Sequence, residues 1–227
     1  MAAMRIATVT MDGDSTGVLD QKIDTMAIVL EKTGDKHRIN LEKGGSINGE
    51  IIINLDWNQS GDNPMDLDLG CFYELRSGSK RLIDGLQFSH GRGGSRDQKT
   101  NQGSYDHHPY IWHTGDDRTG GSGETILVNP KGINVIKRMT IYTFIFAGAT
   151  RWSETNAVVK VKVPGQEEVV VKMGTQSENK RFCAIAELEF GGDDSITVKK
   201  LVTFHDNHSN CDAMYNWGFN YKAGSKD

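Results

Sequence analysis

Apolar and polar residues alternate along most of this chain, and the period is two. In "EIIINLDW" (residues 50–57), Ile51, Ile53, Leu55 and Trp57 share one face of an extended segment. In "DLDLGCFYEL" (66–75), Leu67, Leu69, Cys71, Tyr73 and Leu75 share one face, and Asp66, Asp68 and Gly70 point the other way. The second half of "VIKRMTIYTFIFAGA" (135–149) is apolar on both faces, the pattern of a central buried strand. "AVVKVKVPGQEEVVVKM" (157–173) reads as a hairpin, with Pro164-Gly165 suited to the inner positions of a type II turn. "RFCAIAELEF" (181–190) and "SITVKKLVTF" (195–204) follow, separated by the turn signal "GGDD".

No long stretch has helical spacing, and no segment repeats. Short strands with Gly-rich turns predict an all-β protein, an antiparallel β-sandwich with at most short helices. One such helix is expected near "NCDAMYNWG" (210–218). The boundaries expected are an N-terminal extension over 1–37, partly strand, and a sandwich domain over 38–227. In the extension, "RIATVTM" (5–11) and "TMAIVLEK" (25–32) are the strand candidates. The polar, Gly-rich run "SHGRGGSRDQKTNQGSYDHHP" (89–109) breaks the rhythm and reads as a mobile insertion or a functional loop.

Composition narrows the function. Of 227 residues, 26 are Lys or Arg and 30 are Asp or Glu, so no basic excess exists to displace counterions from a nucleic acid. No apolar run approaches the ~20 residues of a membrane helix, and the N-terminus lacks the apolar core of a signal peptide. A cytoplasmic location is expected. The three cysteines are widely spaced and form no C-x-x-C pair, so they read as small buried hydrophobes.

The chemistry concentrates in two acidic segments. "WHTGDDRTGGSGET" (112–125) carries Asp116, Asp117 and Glu124, with glycines at 115, 120, 121 and 123 that let backbone carbonyls turn inward. Hard oxygen ligands of this kind are what Ca²⁺ coordinates, although the spacing is not that of an EF-hand. Asp66 and Asp68, two apart on one strand face, are the natural second source, with Asp56 and Asp62 nearby. Mg²⁺ remains open on these residues alone. Histidines at 107, 108, 113, 205 and 208 show no fixed ligand spacing and read as ordinary loop residues rather than a transition-metal site. Tyr215, Trp217, Phe219 and Tyr221 alternate, as an inward-facing strand would, or as a sugar-stacking platform. No nucleophile–base pair, thiol pair or cofactor fingerprint stands out. A binding module is therefore expected rather than an enzyme, with a calcium-dependent lectin-like module or a metal-dependent hydrolase as alternatives.

The segments "INLEKGGS", "INLDW", "DLDLGCFYEL", "PYI", "GDDRTGGSGE", "IYTFIFAGATRW", "FCAIAELE" and "YNWGFNY" occur in an order that resembles the tellurium-resistance TerD family, TerA-like members in particular. The resemblance runs from about residue 39 to 224. It implies a cytoplasmic, calcium-binding β-sandwich associated with tellurite and other stress responses. It also implies partners among other Ter-type proteins, in a multi-protein assembly near the membrane. Carried over residue by residue, the calcium ligands are Asp66, Asp68, Asp116, Asp117 and the carbonyl of Gly120. Glu124 falls where the family loop ends in acids, although "GGSGE" is less acidic than in many relatives.

Overall fold

The computed structural model describes residues 27–41, 47–57, 65–88, 93–116, 123–148, 151–173 and 179–222. Two sheets face each other. The first holds seven strands: β1 (Ile28–Leu30), β3 (Ile51–Asp56), β6 (Gly103–Ser104), β7 (Ile111–His113), β8 (Glu124–Val128), β10 (Val158–Lys162) and β11 (Val169–Lys172), in the order β1-β11-β10-β3-β8-β7-β6. The second holds six: β2 (Lys36–Asn40), β4 (Asp66–Leu75), β5 (Lys80–Asp84), β9 (Ile136–Ala147), β12 (Phe182–Phe190) and β13 (Ser195–His205), in the order β2-β13-β12-β9-β4-β5. All neighbours are antiparallel except β1, which runs parallel to β11. The fold is an all-β sandwich, with one short α-helix among the described residues, α1 (His208–Tyr215).

The alternation of the sequence becomes the alternation of burial. Ile51, Ile53 and Leu55 from one sheet meet Leu67, Leu69, Cys71 and Tyr73 from the other in a single inter-sheet core. β9 lies between β12 and β4, and its outward residues are buried too, because the six-stranded sheet has a second apolar layer on its outer face. There Phe72, Tyr142, Phe144 and Phe182 pack with Cys211 of α1 and with Trp217. The aromatics 215–221 do not form a strand: Tyr215 ends α1, and among the described residues no strand follows it. They still turn inward, with Trp217 only 2% exposed, its ring 5.7 Å from Phe72 and the Arg138 guanidinium 4.0 Å above it. Trp217 is thus covered by protein, while Tyr215, Phe219 and Tyr221 are half-buried.

Lys200 of β13 joins the two sheets. Its ammonium donates to the carbonyls of Leu30 (3.3 Å), Glu31 (3.0 Å) and Lys172 (2.7 Å), so all three of its protons have acceptors. Burial pulls its pKa below the usual lysine value.

The described part of the long polar run is ordered rather than a mobile insertion. Gln102, Ser104 and Tyr105 are buried, Arg96 stacks 3.9 Å over the Tyr105 ring, and Arg96 pairs with Glu50. Residues 89–92 lie outside the described residues, as does the strand candidate 5–11.

Candidate metal centre

The N-terminal half of β4 has an open edge. β5 pairs with β4 only over Gly70–Glu74, so among the described residues the backbone of Asp66–Leu69 has no strand on that side. Side chains from the opposite sheet fill the place. Glu124 Oε2, at the start of β8, accepts from the Leu69 amide at 2.7 Å. His113 Nε2, at the end of β7, lies 3.1 Å from the Leu69 carbonyl. The Gly115 amide donates to His113 Nδ1 at 3.1 Å, so the pattern is that of the Nε2–H tautomer. Both side chains are fully buried. The backbone N–H and C=O of Leu69, next to Asp68, are therefore held by an acid and an imidazole more than forty residues away in sequence.

This crossing brings the two acidic segments together. Leu67 and Leu69 enter the inter-sheet core, so Asp66 and Asp68 face outward on the six-stranded sheet. Asp116 follows β7 by three residues and reaches the same place. One carboxylate oxygen from each of Asp66, Asp68 and Asp116 lies within 4.8 Å of the others. Asp68 is fully buried. Two glycines make the space. A Cβ at Gly85 would stand 2.5 Å from Asp68 Oδ1, and a Cβ at Gly70 would stand 2.3 Å from the Tyr142 ring. The glycine of "DLDLG" is thus required by ring packing, not by an unusual φ.

Glu124 is not one of the three clustered carboxylates. The structure places it in a strand rather than at the end of a loop, with Oε2 turned to Leu69. Asp117, Gly120 and Asp62 lie outside the described residues. Asp56 sits at the end of β3 and pairs with Lys160 at 2.9 Å.

Sequence reasoning passed over Gly85, the structural use of His113, and a further buried acid. Asp84 Oδ2 accepts from the Tyr142 hydroxyl at 2.7 Å and lies 2.7 Å from His208 Nε2. Its Oδ1 accepts from the Leu86 amide at 2.9 Å. Burial opposes its ionisation, yet the bond and charge of His208, with Tyr142 and Leu86, hold its pKa below the usual carboxylate value. No motif marks these contacts, because each spans tens of residues or arises from a turn.

The remaining candidates are structural. His205 is buried, its pKa lowered by burial, with Nε2 2.9 Å from Thr203 Oγ1. Cys71, Cys183 and Cys211 are all free and buried. Burial pushes their thiols up, that of Cys211 to about 12, so little thiolate is available for redox chemistry.

Three hard carboxylate oxygens this close repel one another, and the donor set fits a divalent cation that prefers oxygen. Asp66, Asp68 and Asp116 would hold it.

Comparison with known proteins adds lineage to this geometry. No family model matches the chain. In three dimensions it is similar to a protein of unknown function, SAV2460, at TM-score 0.50 and 15% identity, over 75% of this chain and 98% of that one. It is also similar to SCO6318 from Streptomyces coelicolor A3(2), a homologue of the telluride resistance protein TerD. That match has TM-score 0.49 and 16% identity, over 72% of this chain and 94% of that one. In sequence it is 34% identical over 209 residues to tellurium resistance protein TerA from Alcaligenes sp, covering 86% of this chain. The chain spans 57% of that relative's length. With that identity over 86% of its length, the chain belongs to the TerD/TerA-like family.

Proposed function

We propose that this protein is a calcium-binding β-sandwich of the tellurite-resistance response that works as a binding or scaffold module rather than as an enzyme. The observation that carries the reading is the meeting of Asp66, Asp68 and Asp116, from segments some fifty residues apart, within 4.8 Å. Ca²⁺ takes six to eight oxygen ligands at 2.3–2.6 Å in flexible geometry. Asp117 and the Gly120 carbonyl, in the same loop as Asp116, are the natural source of further ligands. Mg²⁺ demands a tighter octahedron and retains water, which suits a set of several protein oxygens less well.

A role as a module rather than a catalyst is consistent with the buried thiols and with the structural use of His113, His205 and His208. Other Ter-type proteins, in a cytoplasmic assembly near the membrane, are the partners we propose. Among the described residues no helix is long and apolar enough to cross a membrane.

Isothermal titration of the metal-stripped protein with Ca²⁺ and Mg²⁺ tests the reading. Calcium should bind to wild type in preference to magnesium and fail to bind to Asp68→Asn, with the variant's circular dichroism unchanged. Absence of calcium heat at millimolar concentration in wild type would refute it.

A further inference from the structure

The outer face of the six-stranded sheet carries a second opening, beside the strand that bears Asp66 and Asp68, since Phe144 in its wall pairs with Asp68 across the sheet. A pocket of about 240 Å³ lies between the end of β9, the start of β12 and the first turn of α1. Its walls are Phe144, Phe146, Phe182 and Leu86. At roughly 30 Å³ per water, it has room for about eight waters or a comparable apolar group. Phe146 is 41% exposed at the lip.

The charges around the mouth are selective. His208 is committed to Asp84 at 2.7 Å, and Asn207 caps α1 through Asn210. Two charged groups are left. Arg181 donates one N–H to the Phe146 carbonyl at 3.2 Å, which leaves most of its five donors available. Asp206 is exposed and lines the same pocket, one residue past His205, the cross-strand partner of Phe182. Among the described residues neither forms an ion pair, with the other or with a third group. A cation and an anion line one apolar pocket without meeting.

A simple amine would satisfy only Asp206, and a simple acid only Arg181. A zwitterion satisfies both. We propose that this pocket binds a free α-amino acid with an apolar side chain, its carboxylate on Arg181, its ammonium on Asp206, and its side chain among Phe144, Phe146 and Phe182. The planar guanidinium fork matches a carboxylate. This proposal does not rest on the calcium reading.

The test is calorimetric titration of the full chain with L-phenylalanine and L-leucine, then with 3-phenylpropionate, phenethylamine and phenylalaninamide. The two amino acids should bind at millimolar concentration or better. Each probe that lacks one charge should bind at least about tenfold more weakly, the loss of one charge-assisted pair. Arg181→Ala should erase the preference for phenylalanine over phenethylamine, and Asp206→Ala the preference over 3-phenylpropionate. Both side chains are exposed, so folding should survive either change. The proposal is overturned if neither amino acid binds or if neither substitution changes the preference. Phenylalaninamide binding as well as phenylalanine would also overturn it, since that points to a peptide N-terminus instead.

Discussion

Glu124 Oε2 stands 2.7 Å from the Leu69 amide nitrogen, a side chain in the position a neighbouring strand would occupy. It joins the two sheets at the point where β5 stops short, and it fixes the peptide that follows Asp68. Truncation to Ala leaves a buried N–H without this acceptor. A hydrogen bond to a charged group contributes about 1.5–3 kcal/mol, so Glu124→Ala should lower the unfolding free energy by about that amount in urea titration. Glu124→Gln keeps an acceptor and should lose less. Equal losses would mean that the bond is not what matters.

Gly85 forms the floor beneath Asp68. A methyl group there would press on Oδ1 at 2.5 Å, so the carboxylate must move. Gly85→Ala should cost about 1–3 kcal/mol as overpacking. On the calcium reading it should also weaken calcium binding by about tenfold or more, because a ligand is displaced. Calorimetry on the folded variant checks this. Undiminished affinity would separate Asp68 from the ion.

The buried Asp84 makes acid stability depend on His208. Its carboxyl is held below the ordinary value, which lies near 4. A depressed folded pKa contributes stability at pH above that unfolded value, and the contribution is lost as pH falls through the folded pKa. Removing His208 takes away the partner that offsets burial. His208→Ala should therefore move the acid-unfolding midpoint to higher pH, and at neutral pH it should cost about 3 kcal/mol, as breaking a buried pair does. Tryptophan fluorescence against pH would show both, since Trp217 belongs to the same apolar layer.

Lys200 tests the inter-sheet clasp. Lys200→Met keeps much of the stem's bulk but leaves the carbonyls of Leu30, Glu31 and Lys172 without this donor. With one unmet buried group costing about 1–3 kcal/mol, the variant should lose at least about 3 kcal/mol in denaturant. β1 should exchange its amide hydrogens faster than β3. Unchanged exchange at β1 would show that parallel pairing with β11 alone holds that strand.

Much of this architecture is legible without coordinates. The strands at 51–56, 66–75, 136–147, 182–190 and 195–205 follow from alternation, because the side-chain period of a strand is local and one face of each is buried. The hairpin across Pro164-Gly165 is equally local, and Gly165 adopts the positive φ of 75° that such a turn requires. The two acidic segments are visible as well, because clustered carboxylates are rare in sequence.

Other features depend on where the chain crosses itself. Whether Asp66, Asp68 and Asp116 meet is decided by the early end of β5 and the crossing of β7 and β8 over β4. The turn of Glu124 toward Leu69 and the pairing of Asp84 with His208 span 55 and 124 residues. Periodicity tells which way a side chain points on its own strand. It carries no information on which strand stands opposite, because that is settled by packing over the whole sandwich.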